Sequence, residues 1–264
     1  MGWPLLTLMA CALALRLPYV TGRSIWFDEA ASWQTARLTV PQLLNALRVD
    51  TTLPPYYLML KAWMVALGDS PLSLRLSSIV LGLLTVAGMY LFAVELYLAS
   101  CGRRPAKKVA AALRDGKVRA PVGAGHAVSR GARAARRFAF LMAMAVALSP
   151  FQVNASIEAR MYALGTAVTA LSGWLLLRAA RGGAEWRWWL GYGGLAGFAL
   201  YIHPYELFSI GAQFVYLSGL IVSRWLNGEP RRARLLLRRV GASGVLAALV
   251  FLPAVRLLLV QHSV

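Results

Sequence analysis

The run Pro55-Tyr56-Tyr57-Leu58-Met59-Leu60-Lys61-Ala62-Trp63-Met64-Val65-Ala66-Leu67 decides how this chain is arranged. It is apolar, but short and interrupted by Lys61. A helix needs about 20 apolar residues to cross a bilayer. The run therefore reads as an interfacial or re-entrant helix and not as a span. The Pro54-Pro55 pair ahead of it suits a helix start, where a missing N–H costs nothing.

Outward from this run, longer apolar blocks at 3–20, 76–98, 138–153, 161–177, 188–202, 207–222 and 240–260 are each candidates to cross a membrane. Of the 264 residues, 59% are hydrophobic and only 14% charged, against roughly 25% charged in a soluble domain. The first block lacks a basic leader and a small-residue cleavage site, so it reads as a retained span. The expected fold is all-α: a polytopic bundle of about seven spans forming a single domain over 1–264.

The short run also sets the topology. If 55–67 lies on the surface, the loops 99–137, 178–187 and 224–239 share one side with the N-terminus. Together they hold 20 of the 28 Lys and Arg but three of the ten acids. By the positive-inside rule that side is cytoplasmic. The first outer loop is then 21–70, with interfacial helices, and 99–137 is a basic cytoplasmic loop. A net charge of +18 would otherwise hint at nucleic acid. Placement of the basic residues between apolar blocks argues for membrane topology instead, with no nucleic-acid partner. Cys11 and Cys101 fall in different phases, which argues against a disulfide framework.

The outer side gathers the residues capable of chemistry. Asp28 and Glu29 follow Trp26 and Phe27. Adjacent carboxylates at a membrane surface suit general-base work or a divalent cation, and equally suit a helix N-terminus. Glu158 and Tyr162 are four apart and would share a helical face. Arg160 between them suits an anionic group, since guanidinium binds phosphate bidentately. His203, near Glu206, is a candidate for phosphate or metal.

The runs Trp26-Phe27-Asp28-Glu29-Ala30, Asp50-Thr51-Thr52-Leu53-Pro54-Pro55-Tyr56-Tyr57, Arg75-Leu76-Ser77-Ser78, Ser149-Pro150-Phe151 with Glu158-Ala159-Arg160-Met161-Tyr162, and His203-Pro204-Tyr205 occur in an order that resembles the GT-C membrane glycosyltransferases. The likeness is to the glycosyltransferase-39 group: protein mannosyltransferases, lipid A aminoarabinose transferases and RgtA/B/C/D-like bacterial enzymes. It implies a multi-pass protein of the bacterial inner membrane that transfers a sugar from a polyprenyl-phosphate donor to an acceptor hydroxyl, with inversion. Asp28 would be the catalytic base, and Glu29 would orient the acceptor or hold a divalent cation. Arg160 and His203 would meet the donor phosphate, with Glu158, Tyr162 and Tyr56 at the substrate.

Two features depart from that pattern. Thr52-Leu53 stand where some relatives carry Lys or His before the proline, and the chain is shorter than members usually are, as a truncated member or fragment would be. The competing expectations are a transporter or flippase of lipid-linked sugar, and an inactive fragment or partner subunit.

Overall fold

The computed structural model describes residues 3–21, 23–48, 52–101, 124–182 and 185–261, and these are helical with short connections. In chain order the helices are α1 (Trp3–Arg16), α2 (Pro18–Thr21), α3 (Phe27–Arg37), α4 (Val40–Ala46), α5 (Pro54–Leu67), α6 (Pro71–Cys101), α7 (Ala124–Leu148), α8 (Pro150–Ile157), α9 (Met161–Gly182), α10 (Trp186–Ile202), α11 (Glu206–Leu226) and α12 (Pro230–Gln261). Asp50, Thr51 and most of the basic loop, 102–123, lie outside the described residues.

Five stretches are long and apolar enough to cross a membrane: Trp3–Val20, Pro71–Ser100, Met161–Arg181, Glu206–Leu226 and Pro230–Val255. The pair Gly131–Leu148 and Pro150–Ile157 passes the same test together, as a broken span or a re-entrant loop bent by 60°. The seventh expected span, α10, is not among these stretches: its 17 residues reach about 25 Å. It packs between α9 and α12. Lipid-facing and protein-facing helices are distinct. Two thirds of the apolar stretch of α9 is buried, whereas only 6% of that of α11 is.

Two sequence expectations are corrected. The block 138–153 is not one straight helix, because Pro150 has no N–H to continue α7 and instead opens α8 at its first turn. Glu158 and Tyr162 do not share a helical face. Glu158 is extended (φ −105°, ψ 135°) after α8, and α9 starts only at Met161. The break has a tertiary cause: the Ala159 N–H turns away to donate to Glu29 Oε1 at 3.1 Å.

The first loop folds into α3, α4 and α5, which cap one end of the bundle. At fourteen residues, α5 is too short to span, as its sequence implies. Its Tyr56, Tyr57 and Leu60 join Leu43 of α4, Leu47 just after it, and Leu164, Ala199 and Ile202 of α9 and α10 in one buried cluster. Lys61 has a specific task here. Its Nζ donates to Leu38 O at 2.7 Å and Ala36 O at 3.3 Å, closing the carbonyl end of α3.

At the seam of α10 and α12, Gly193 and Gly197 face backbone. A Cβ on Gly193 would lie 2.6 Å from Ser243 O, and one on Gly197 would lie 2.4 Å from Ala247 O. Small residues four apart let the two helices meet at backbone distance, a recurrent basis of membrane-helix packing.

Candidate active site

The site lies where α3, the start of α6, the α8–α9 break and the α10–α11 connection converge. Asp28 and Glu29 occupy the first turn of α3, where the helix dipole favours anions. Successive helical residues point about 100° apart, and the two carboxylates diverge accordingly.

Glu29 is 3% exposed and turned inward. Its Oε1 accepts from Arg75 Nε (3.0 Å) and Ala159 N (3.1 Å), and its Oε2 from Arg75 Nη2 (2.7 Å) and Trp26 N (3.1 Å). Arg75, also buried, completes its donor set on the carbonyls of Val20, Arg23 and Ser24 at 2.8–2.9 Å. All five guanidinium N–H groups are thereby used. Burial alone would push the Glu29 carboxyl up. Hydrogen bonds from Arg75, Trp26 and Ala159 outweigh it and hold the acid below the usual carboxylate range.

Asp28 points outward. Its Oδ2 meets Arg160 Nη1 at 2.8 Å, with the aspartate side chain 38% exposed and the arginine 26%. The Arg160 guanidinium also lies over the Tyr162 ring, 4.9 Å from its centroid. Arg160 lines a cavity of about 590 Å³ with Arg23, Trp26, Glu29, Arg75 and Glu158. Glu158 also borders a second cavity of about 520 Å³ containing Tyr162, His203, Tyr205 and Glu206. This second cavity shares Phe151, Thr166 and Glu206 with a third of about 430 Å³, which runs down between α6, α9 and α11.

His203 sits between Tyr162 and Tyr205, with ring centroids 6.2 and 4.7 Å away. Its Nδ1 accepts the Tyr205 N–H at 3.1 Å, so a neutral ring carries its proton on Nε2. Burial, and then the Arg160 charge, push the imidazole below its ordinary pKa. At neutral pH both causes favour the neutral ring, whose Nε2–H is then a donor.

Of the residues named from sequence, Asp28 and Arg160 pair directly, while Glu158, Tyr162 and His203 border one cavity. Tyr56 is instead a core aromatic, 1% exposed beneath the loop helices, and its hydroxyl has no hydrogen-bond partner among the described residues. Burial raises its phenol well above the ordinary value.

Sequence reasoning gave Arg75 no role of its own, although it stands in one of the runs that carry the resemblance. Glu206 was also given no role of its own. Its carboxylate receives the Thr169 hydroxyl and occupies space left open by Gly165, where a Cβ would lie 2.5 Å from Oε1.

A divalent cation does not fit the acid pair as placed. Both Glu29 oxygens are saturated by donors, and Asp28 faces a guanidinium. Among the described residues no group of three His, Cys, Asp or Glu could hold a metal.

Residues 131–256 match the family model of dolichyl-phosphate-mannose-protein mannosyltransferases. That family is of the GT-C membrane type and points to a membrane glycosyltransferase. The matched segment carries Glu158, Arg160, Tyr162, His203 and Glu206, while Asp28, Glu29 and Arg75 precede it. No curated protein and no solved structure gives a match.

Proposed function

We propose that this chain transfers a sugar from a polyprenyl-phosphate donor to an acceptor hydroxyl at the outer face of a bacterial inner membrane, with inversion at the anomeric carbon. The observation that carries this reading is the Asp28–Arg160 pair, whose arginine lines the first of two cavities that share Glu158. One side chain of the pair can accept a proton and the other can hold a phosphate.

In the proposed step, the acceptor oxygen forms a bond to the anomeric carbon as the bond from that carbon to the phosphate oxygen breaks. The hydroxyl proton passes to Asp28, and the polyprenyl phosphate leaves with the bonding electron pair. Arg160 exchanges its aspartate partner for the donor phosphate, which frees Asp28 Oδ2 for the proton. The Nε2–H of His203 adds a neutral hydrogen bond to the leaving oxygens. Glu158 and Tyr162 contact the sugar. Glu29 holds the base in position through α3. The third cavity, with its largely apolar walls, accommodates the start of the donor's lipid chain.

Replacing Asp28 by Asn tests the base. Reconstituted membranes supplied with a labelled polyprenyl-phosphate hexose should lose transfer by about 100-fold or more, the scale of general-base catalysis, with insertion unchanged. Transfer at the wild-type rate would sink the assignment.

A second reading, movement of a lipid-linked sugar across the bilayer, is favoured by one observation. Glu206 lies at the start of α11, inside a groove with Gln152, Thr169 and Gln213, and ionisable groups within spans often mark transport paths. Translocation in liposomes without any glycosyl product would select it.

A further inference from the structure

At the end of the bundle away from Asp28, the faces of α1, α6 and α7 enclose a cavity of about 570 Å³. Tyr90 in its wall lies fifteen residues beyond Arg75 on α6, about 22 Å at 1.5 Å per residue. The cavity is therefore separate from the candidate active site.

Arg133, Arg136 and Arg137 of α7 all border it. Their spacing of three and four residues puts them on one side of the helix. All three are exposed, and among the described residues none is paired with a carboxylate. This differs from the neighbouring arginines at the same end, Arg178 and Arg181, which both bond Glu95 at 3.0 and 2.5 Å. Below the guanidiniums the wall is apolar, built from Leu5, Phe140 and Leu141. Leu141 is 57% exposed, so this wall continues onto the outer surface of the bundle.

The geometry points to a binding site for one anionic phospholipid, with its phosphodiester on Arg133, Arg136 and Arg137 and an acyl chain along Leu5, Phe140 and Leu141. The guanidinium fork matches phosphate oxygens. Three arginines without a carboxylate partner among the described residues, above an apolar wall, suit a ligand that is anionic at one end and hydrocarbon at the other. Basic pockets between membrane helices recognise phospholipid headgroups in this way. A free anion would leave the wall unused, and a zwitterionic lipid would bring its own cation against the arginines. The site stands independently of the proposed catalysis.

Native mass spectrometry of the full chain in mild detergent, after exchange with phosphatidylglycerol or phosphatidylcholine, tests this. One phosphatidylglycerol should be retained per chain. The combined change Arg133→Gln, Arg136→Gln and Arg137→Gln should reduce that retention at least tenfold. These side chains are exposed, so helix packing is undisturbed. Changing Arg231, Arg232 and Arg234 of α12 to Gln should leave retention intact. Equal retention of phosphatidylcholine, no loss in the α7 variant, or an equal loss in the α12 variant would each overturn the site. Displacement of the lipid by millimolar inorganic phosphate would overturn its assignment to a lipid.

Discussion

Arg75 grips both carboxylate oxygens of Glu29 from 46 residues away, at 3.0 and 2.7 Å, with both side chains about 4% exposed. The pair is not an exposed ornament of the loop. It joins α3 to α6 while the remaining Arg75 donors fasten Val20, Arg23 and Ser24 to the same point.

Removing one partner strands the other charge in the interior. Arg75→Met or Glu29→Gln should each cost about 3–5 kcal/mol, read as a lower unfolding temperature in detergent. The double variant should recover part of the loss, because no buried charge remains uncompensated. Strictly additive losses would show that the pair is not coupled as described.

The Glu29 carboxyl is held below its ordinary value, so its stabilising contribution is complete above about pH 4.5 and is lost as pH falls through the lowered value. Acid unfolding of wild type should therefore steepen below pH 4.5. The Glu29→Gln variant, which has no proton to take up there, should show a flatter profile in the same scan.

His203 gives a second titration. Its pKa is depressed, so the neutral ring's contribution is full above about pH 6.5 and disappears as pH falls through the depressed value. Arg160→Gln removes one of the two causes and should move the His203 imidazole upward in an NMR titration. An unchanged midpoint would mean that Arg160 does not act on the ring. The same variant should raise KM for a phosphate-linked donor.

At the helix seam, Gly197→Val should separate α10 from α12, since even a Cβ there would lie 2.4 Å from backbone. Unfolding temperature should fall sharply. Gly194, with nothing within 4 Å of its notional Cβ, should accept Ala and gain up to about 1 kcal/mol from helix propensity. Similar effects at both positions would rule out the tight seam.

Much of the fold was legible because membrane insertion writes itself in local composition. The length of 55–67 and its Lys61 marked a helix that does not span, and α5 is that helix. What Lys61 does was not legible, since its acceptors, Ala36 O and Leu38 O, lie 23–25 residues away. The separate fates of Asp28 and Glu29 were equally hidden. Adjacent acids look alike in sequence, and only the packing of α3 turns one onto Arg75 and the other onto Arg160. The i,i+4 relation assumed for Glu158 and Tyr162 presupposed a continuous helix, which the bond from Ala159 to Glu29 interrupts.

That last bond has a consequence for biosynthesis. Glu29 meets Arg75 after 46 residues but Ala159 only after 130. At translation rates of about 5–20 residues per second, Ala159 emerges roughly 7–26 s after Glu29. Arg75 follows Glu29 by roughly 2–9 s at the same rates, and for the rest of the delay the carboxylate can be neutralised by Arg75 but lacks the Ala159 N–H. The nascent first loop thus waits half-fastened on the membrane, and the arrival of a later hairpin locks it.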